Sequence, residues 1–364
     1  MMIQYDALEA FGNPVLCDNH DNRLESYKAL VKEAKSHGSL FISQISHPGR
    51  QCSVFLNPNP VSASDVKLDI HWPGNKFDKP KPLTKEGIAD LVKKFGETAY
   101  LCHEAGYDGV EIHGAHGYLI AQFLSLTTNL RTDEYGGSLD NRARFLFEII
   151  EEVRRRVPDP SFIIGVKLNS VEFQDKGTTP EEARDLCIKL EAANVDFVDL
   201  SGGTYEASGF FHRKDSTIKR EAYFIEFAEM IRPHLKKTIV YITGGFRSTS
   251  KMVEAVEKGS CDGIGLARPL TAEPHLVKHI LAGKYNSALN NKVVEQYQTF
   301  SSGTQLHQIG NGEKEISDFS REEEAGRFHE ALQKDTEKNV SILPRVESSG
   351  FPPLNALHKF LFRH

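Results

Sequence analysis

One pattern constrains the fold more than any other: between residues 39 and 267, short apolar runs alternate with helix-like segments. The runs are 39–46 (SLFISQIS), 109–114 (GVEIHG), 162–169 (FIIGVKLN), 197–203 (FVDLSGG), 239–245 (IVYITGG) and 262–267 (DGIGLA). Most are rich in Val, Ile or Phe, are bounded by Gly or polar residues, and lack strict polar alternation. Strands buried on both faces of a parallel sheet read this way. Between them, a helix over 22–37 meets Gly38 at its end, and Thr84 can cap a helix over 85–105. A third, over 140–157, is stopped by Pro158, and a fourth opens on Thr179-Pro180-Glu181-Glu182, with a capping Thr, Pro at the first helical position and a capping-box acid. Further helices are expected over 220–232, 249–258 and 274–282. Repeated strand–helix units without a run of hairpins imply an α/β chain with a parallel sheet. Strands that end in polar or glycine clusters imply a TIM (β/α)8-type barrel with an active-site rim.

Such a barrel closes with eight strands. The sequence supplies six complete strand–helix units, so the first strand and most of the second are expected to be missing, with Met1–Tyr5 the last scrap of a strand. Residues 340–344 (VSILP) could add one short strand. The expected division is a barrel domain over 1–285 and a polar C-terminal extension over 286–364, with a solvated helix at 320–337. Residues 47–83, rich in Pro, Asn and Ser, are too long for a plain connection and read as a lid or binding loop.

Composition narrows the function. With 44 basic against 50 acidic residues, a net charge of −6, the chain has no electrostatic footprint for nucleic acid. No apolar run approaches the roughly 18–20 residues that span a bilayer, and the first residues do not read as a signal peptide. The five cysteines are dispersed and form no C-x-x-C, against a zinc ribbon, an iron–sulfur cluster or a redox dithiol. Free thiols in a reducing compartment are the expectation, and hence a cytoplasmic location. Nothing in the sequence bears on oligomeric state.

The stretch Glu111-Ile112-His113-Gly114-Ala115-His116-Gly117-Tyr118 carries the most chemistry. It starts in a buried strand and emerges at the C-terminal end, where barrel enzymes place catalytic groups. Two imidazoles and a phenol there can hold a carbonyl or phenolate oxygen and deliver a proton. A metal pair lacking an evident third ligand, or two structurally satisfied histidines, are the alternative readings. At the other end of the sheet, Thr243-Gly244-Gly245-Phe246 and Gly265-Leu266-Ala267-Arg268 follow the last two strands. Barrels bind phosphate on these loops: glycines admit backbone N–H groups and the arginine adds charge-assisted donors. A lone Gly-Gly is ordinarily just a turn; its pairing with Arg268 favours a phosphate site at Gly244, Gly245, Ala267 and Arg268. No G-x-G-x-x-G lies between a strand and a helix, so no Rossmann domain is expected.

The block HGAHGYLIAQFLS, with Asn129-Leu130-Arg131-Thr132-Asp133-Glu134-Tyr135-Gly136-Gly137-Ser138, Asn141-Arg142 and the upstream Gln44-Ile45-Ser46-His47-Pro48-Gly49-Arg50, resembles the signature of the Old Yellow Enzyme family. The resemblance runs over about residues 1–285. It implies an FMN-dependent ene-reductase in which NADPH or NADH supplies the hydride. His113 and His116 would bind the oxygen of a small enone-type substrate and Tyr118 would protonate its α-carbon. Gln44 would bond the polar edge of the isoalloxazine, and Lys167 would be the cation beside flavin N1 and O2, where reduction places negative charge. Outside the family context Lys167 is a snorkelling strand-end lysine. Residues 131–138 read as structural. The pocket is expected to be shaped by 47–83 and by 204–219, with Phe210 and Phe211. Against the enzyme stand two other expectations: a non-catalytic truncated relative unable to retain FMN, and a flavin-free phosphate-binding lyase or isomerase.

Overall fold

The computed structural model describes residues 1–10, 12–70, 76–207 and 221–342. Six strands form one parallel sheet: β1 (Ile42–Ile45), β4 (Gly109–Gly114), β5 (Ile163–Asn169), β6 (Phe197–Ser201), β7 (Ile239–Thr243) and β8 (Gly263–Gly265). Each pairs with the next in that order. Sequential neighbours without a reversal of strand order are barrel topology rather than a doubly wound sheet. Two residue pairs, β2 (Val61–Ser62) and β3 (Lys81–Pro82), make a separate ribbon. Met2 bridges in parallel to Ser46 and to Val15, so the chain start lies alongside β1, as expected of Met1–Tyr5.

The central strands β4, β5 and β6 are buried on both faces as expected, but, contrary to the expected lack of alternation, they alternate in chemistry, because the inner face is polar yet enclosed. Val110, Ile112, Ile164, Val166, Val198, Leu200, Val240 and Ile242 are all fully buried and join the hydrophobic core. They pack against α2 (Lys85–Ala105), α4 (Leu139–Arg156) and α5 (Pro180–Ala192), which supply Phe95, Phe145 and Leu190. The intervening residues are Glu111, His113, Lys167, Asn169, Asp199, Ser201 and Tyr241. Period-two geometry puts these on the opposite, inner face. In register, His113 lies opposite Lys167, Lys167 opposite Asp199, and Asp199 opposite Tyr241.

The helix starts follow their caps. Thr84 Oγ1 accepts from Gly87 N at 3.1 Å, and Thr179 Oγ1 accepts from Glu182 N at 3.2 Å. The helix expected from 220 is instead a short one over Ile225–Ile231, and residue 220 lies outside the described residues. Residues 340–342, expected as a strand, end the helix Glu322–Ile342, because the polar pattern before them has already committed the backbone; 343 and 344 lie outside the description. A helix over Gln298–Gly310 was not expected at all. It packs on the short helix Arg268–Ala272, and Thr271 Oγ1 donates to Gln305 Oε1 at 2.8 Å. Val293, Phe319, Ala325 and Phe328 form a small core of their own under the extension. Among the described residues no helix is long and apolar enough to cross a membrane.

Candidate active site

β4 delivers His113 at its C-terminal end; the chain then turns through His116, whose φ of 57° is left-handed, into α3 (Leu119–Leu124). That turn is held from three sides. His116 N donates to Asn169 Oδ1 at 3.0 Å and Gln51 Nε2 donates to His116 O at 3.1 Å. Gln122, on α3, does the rest: its amide nitrogen donates to Gly117 O at 2.7 Å and Pro48 O at 3.1 Å. Its oxygen accepts from Arg50 N at 3.2 Å and Ser62 Oγ at 2.8 Å. The loop after β1 and the turn after β4 are therefore clamped to one buried amide. Gly49 lies so close, at φ +59°, that a Cβ there would sit 2.2 Å from the Gln122 oxygen.

The two histidines and the tyrosine meet. His116 Nδ1 is 3.4 Å from His113 Nε2, and His116 Nε2 is 2.8 Å from Ser201 Oγ. The Tyr118 ring stands edge-on to His113 with centroids 4.7 Å apart. His113 Nδ1 is buried with no partner. Burial, and then the positive charge of Lys167, pushes the His116 imidazole down to about 3. Burial, then His116 and Lys167, holds His113 well below its ordinary value. Both are neutral at neutral pH. The Tyr118 phenol is held well above its usual range by burial, then by Tyr205 and Glu9. Its hydroxyl is 3.1 Å from that of Tyr205, which donates to Glu9 Oε1 at 2.9 Å.

From β1 the polar inner face continues across the sheet. Gln44 Nε2 donates to Glu111. Lys167 is ion-paired with Asp199, which also accepts from Thr243 Oγ1 at 2.8 Å. Burial raises the Glu111 carboxyl, with Lys167 and Gln44 opposing. Past Thr243 comes the glycine turn: Gly244 and Gly245 have φ of +136° and +97°, which L side chains rarely adopt. Arg268 donates to Gln298 Oε1 at 2.9 Å and Glu295 Oε1 at 3.0 Å, and Tyr223 Oη also reaches Glu295 Oε1 at 3.2 Å. Arg247 stands close enough that Arg268, after burial, lowers its guanidinium.

The residues present fit an FMN. Gln44 and Lys167 offer donors for a polar ring edge on β1 and β5, and Gly244, Gly245, Ala267 and Arg268 end β7 and β8 at the same edge of the sheet. Arg268 already grips a carboxylate, the charge type a phosphate would present. Phe210 and Phe211 lie outside the described residues. Residues 131–138 are structural as expected: Arg131 bonds Ala63 O and Leu83 O, and Asn129 bonds Phe123 O and Tyr135 O. Sequence reasoning missed Gln122, Ser201, Tyr205, Glu9 and Arg247. Gln122 had a local signal, one amide in the apolar run YLIAQFL. Tyr205 and Glu9, 196 positions apart, had none.

Comparison with known proteins gives a consistent result. The family described as NADH:flavin oxidoreductase / NADH oxidase matches residues 10–287. An NADH-dependent flavin oxidoreductase, nadA, of Aspergillus parasiticus is 41% identical over 362 residues, 97% of this chain and 80% of that protein. Among solved structures, a complex of 2-naphthoyl-CoA reductase with 2-naphthoyl-CoA matches with a TM-score of 0.72 at 25% identity. That match covers 82% of this chain and 46% of the other, so this chain spans less than half the length of that protein. The Old Yellow Enzyme homologue of Zymomonas mobilis shares the fold, with a TM-score of 0.66 at 23% identity over 82% of this chain and 80% of that one.

Proposed function

The chain belongs to the NADH:flavin oxidoreductase / NADH oxidase family, and from that premise we propose that it reduces the activated double bond of an α,β-unsaturated carbonyl compound. It is a flavin-dependent oxidoreductase of the Old Yellow Enzyme type, with FMN as cofactor and NAD(P)H as reductant. When bound, FMN supplies hydride transfer, taking a hydride from NAD(P)H and giving one to the β-carbon of the alkene. The observation that carries the substrate reading is the meeting of His113, His116 and Tyr118 at the end of β4, with a buried nitrogen left over.

The hydrogen-bond order supports a definite division of labour. With both rings neutral, we infer the tautomers in which Ser201 Oγ donates to His116 Nε2 and His116 Nδ1 donates to His113 Nε2, which would leave His113 Nδ1 as the donor for a ligand oxygen. A neutral, fixed donor stabilises oxygen charge as the alkene accepts hydride without losing its own proton. Tyr118 then gives its hydroxyl proton to the α-carbon. Gln44 and Lys167 would hold the polar edge of the flavin ring, with Asp199 fixing the ammonium. Gly244, Gly245, Ala267 and Arg268 would hold the phosphate.

The test is the visible spectrum of the purified chain loaded with FMN and freed of excess. A retained flavin band that bleaches with NADH or NADPH without oxygen, and returns on adding 2-cyclohexenone, is the expected result. Bleaching without recovery by any enone would refute the alkene reading. One observation favours a second reading, a relative that does not retain FMN: Glu295 and Gln298 of the extension already occupy Arg268. A colourless protein after loading would support that reading.

A further inference from the structure

Tyr118 is 9% exposed, so water has little access to its hydroxyl once the proton has left. Three distant parts of the chain converge behind it. Tyr118 comes from the turn after β4, Tyr205 from the segment after β6, and Glu9 from the chain start. Their polar atoms form a row: Tyr118 Oη to Tyr205 Oη at 3.1 Å, and Tyr205 Oη to Glu9 Oε1 at 2.9 Å. The row runs from a buried phenol to a half-buried carboxylate. Its far end is anchored, since Glu9 N and Ala10 N both donate to Asn13 Oδ1 at 2.9 Å. Its flanks are closed by rings: His113 stands edge-on to Tyr118, and Phe77 edge-on to Tyr205 at 6.5 Å. The neighbouring Glu206 is engaged with Arg50, which leaves Glu9 as the carboxylate of this row.

We propose that Tyr205 and Glu9 return a proton from solvent to Tyr118 after each reduction. The inference rests on the reading of Tyr118 as the proton donor. The balance is simple. The Tyr118 O–H bond breaks, its proton forms the new C–H bond with the electron pair of the substrate enolate, and a phenolate is left. Tyr205 passes its hydroxyl proton to that phenolate and takes one from the Glu9 carboxyl, which collects it from water. One proton enters per turnover and nothing is oxidised or reduced in these steps. Transfer between two phenols in similar surroundings is close to thermoneutral, which suits a relay. Burial raises both phenols, so either phenolate is a strong base that draws the proton inward. Tyr205 and Glu9 act through Tyr118 and are positioning residues.

The experiment uses the full chain loaded with FMN, with Glu9→Gln, Tyr205→Phe, Glu9→Asp and Tyr118→Phe, comparing the first turnover with the steady state by stopped flow. Glu9→Gln and Tyr205→Phe are expected to lower steady-state kcat by about tenfold or more. The KM for the enone should hold within about twofold. The loss should appear from the second turnover onward, with a transient tyrosinate absorption that the wild type lacks. Glu9→Asp should recover most of kcat. A packing defect would not produce the tyrosinate signal. Steady-state kcat within about twofold of wild type in both Glu9→Gln and Tyr205→Phe, alongside a slow Tyr118→Phe, overturns the relay and leaves the donor reading intact. A Tyr118→Phe that reduces the enone at the wild-type rate overturns both.

Discussion

Lowering the pH from 7 to 5 should destabilise this fold through histidines that are buried in the neutral form. His47 is buried at 3% exposure and its imidazole is pushed down to about 3, chiefly by burial and then by Lys94. His113 and His116 behave alike. The folded value lies below the ordinary 6.5, so the unfolded chain binds the proton more readily. The stability tied to a neutral ring is full above pH 6.5 and is lost progressively as pH falls toward about 3. Between pH 7 and pH 5 the loss for one such histidine is about 2 kcal/mol. His47→Asn isolates it. His47 Nδ1 accepts from Gly49 N at 3.0 Å, a role an amide oxygen can take, while Nε2 has no partner to lose. The lost ring packing shifts the variant by a constant amount at every pH. Glu111 and Glu172, raised by burial, work in the opposite sense, gaining as pH falls, but equally in both proteins. Urea unfolding at several pH values should therefore show wild type losing about 2 kcal/mol more than His47→Asn between pH 7 and 5. Parallel pH–stability curves would refute the argument.

Other outcomes follow from the same contacts. Gln122→Met strands Arg50 N, Ser62 Oγ, Pro48 O and Gly117 O. It should lower the unfolding free energy by about 3–5 kcal/mol in urea titrations; a change under about 1 kcal/mol would mean the clamp is not structural. Arg268→Ala should weaken FMN binding by about ten- to a hundredfold in fluorescence titration, while Glu295→Gln, removing the internal carboxylate, should strengthen it. If Glu295→Gln weakens FMN binding instead, the carboxylate orients the arginine rather than competing with the phosphate. Asp199→Asn removes the anion beside Lys167 and should raise the flavin midpoint potential by about 30 mV, a two-electron shift worth about 1.4 kcal/mol. An unchanged potential would place Lys167 away from the flavin.

What the sequence made readable was local. Each strand of the large sheet lay within an apolar run, because a strand that packs Val, Ile and Leu on one of its two buried faces carries its own signal. Thr84 and Thr179 marked their helices because capping is a contact three residues long. The extension was not readable in the same way. The helix Gln298–Gly310 buries Gln298, Ser301, Ser302, Thr304 and Gln305, polar side chains of which Gln298 accepts from Arg268 and Gln305 from Thr271, so no apolar stripe announced it. Residues 340–342 misled for the converse reason: a short stretch with Val340 and Ile342, two residues before Pro344, looks like a strand end when read alone.

The site divides along the same line. His113, His116 and Tyr118 were visible because one turn carries all three. The groups that set their behaviour lie on other strands at the same height. Gln44, Glu111, Lys167 and Asp199 come from four successive strands; Gln44 bonds Glu111 and Lys167 pairs with Asp199, because a sequential parallel sheet brings neighbouring strands side by side. The row runs amide, carboxyl, ammonium, carboxylate, with Lys167 and Asp199 as its ion pair. Burial first, and then the Lys167 ammonium, lowers His113 and His116, and the same ammonium opposes the rise of Glu111, so the residue proposed as the flavin's cation also helps to keep the two imidazoles neutral. Under the proposed function, neutral donors would hold the enone oxygen without competing proton loss, and the cation would balance the charge of the reduced ring. Sheet order, rather than any motif, makes these two conditions hold at once.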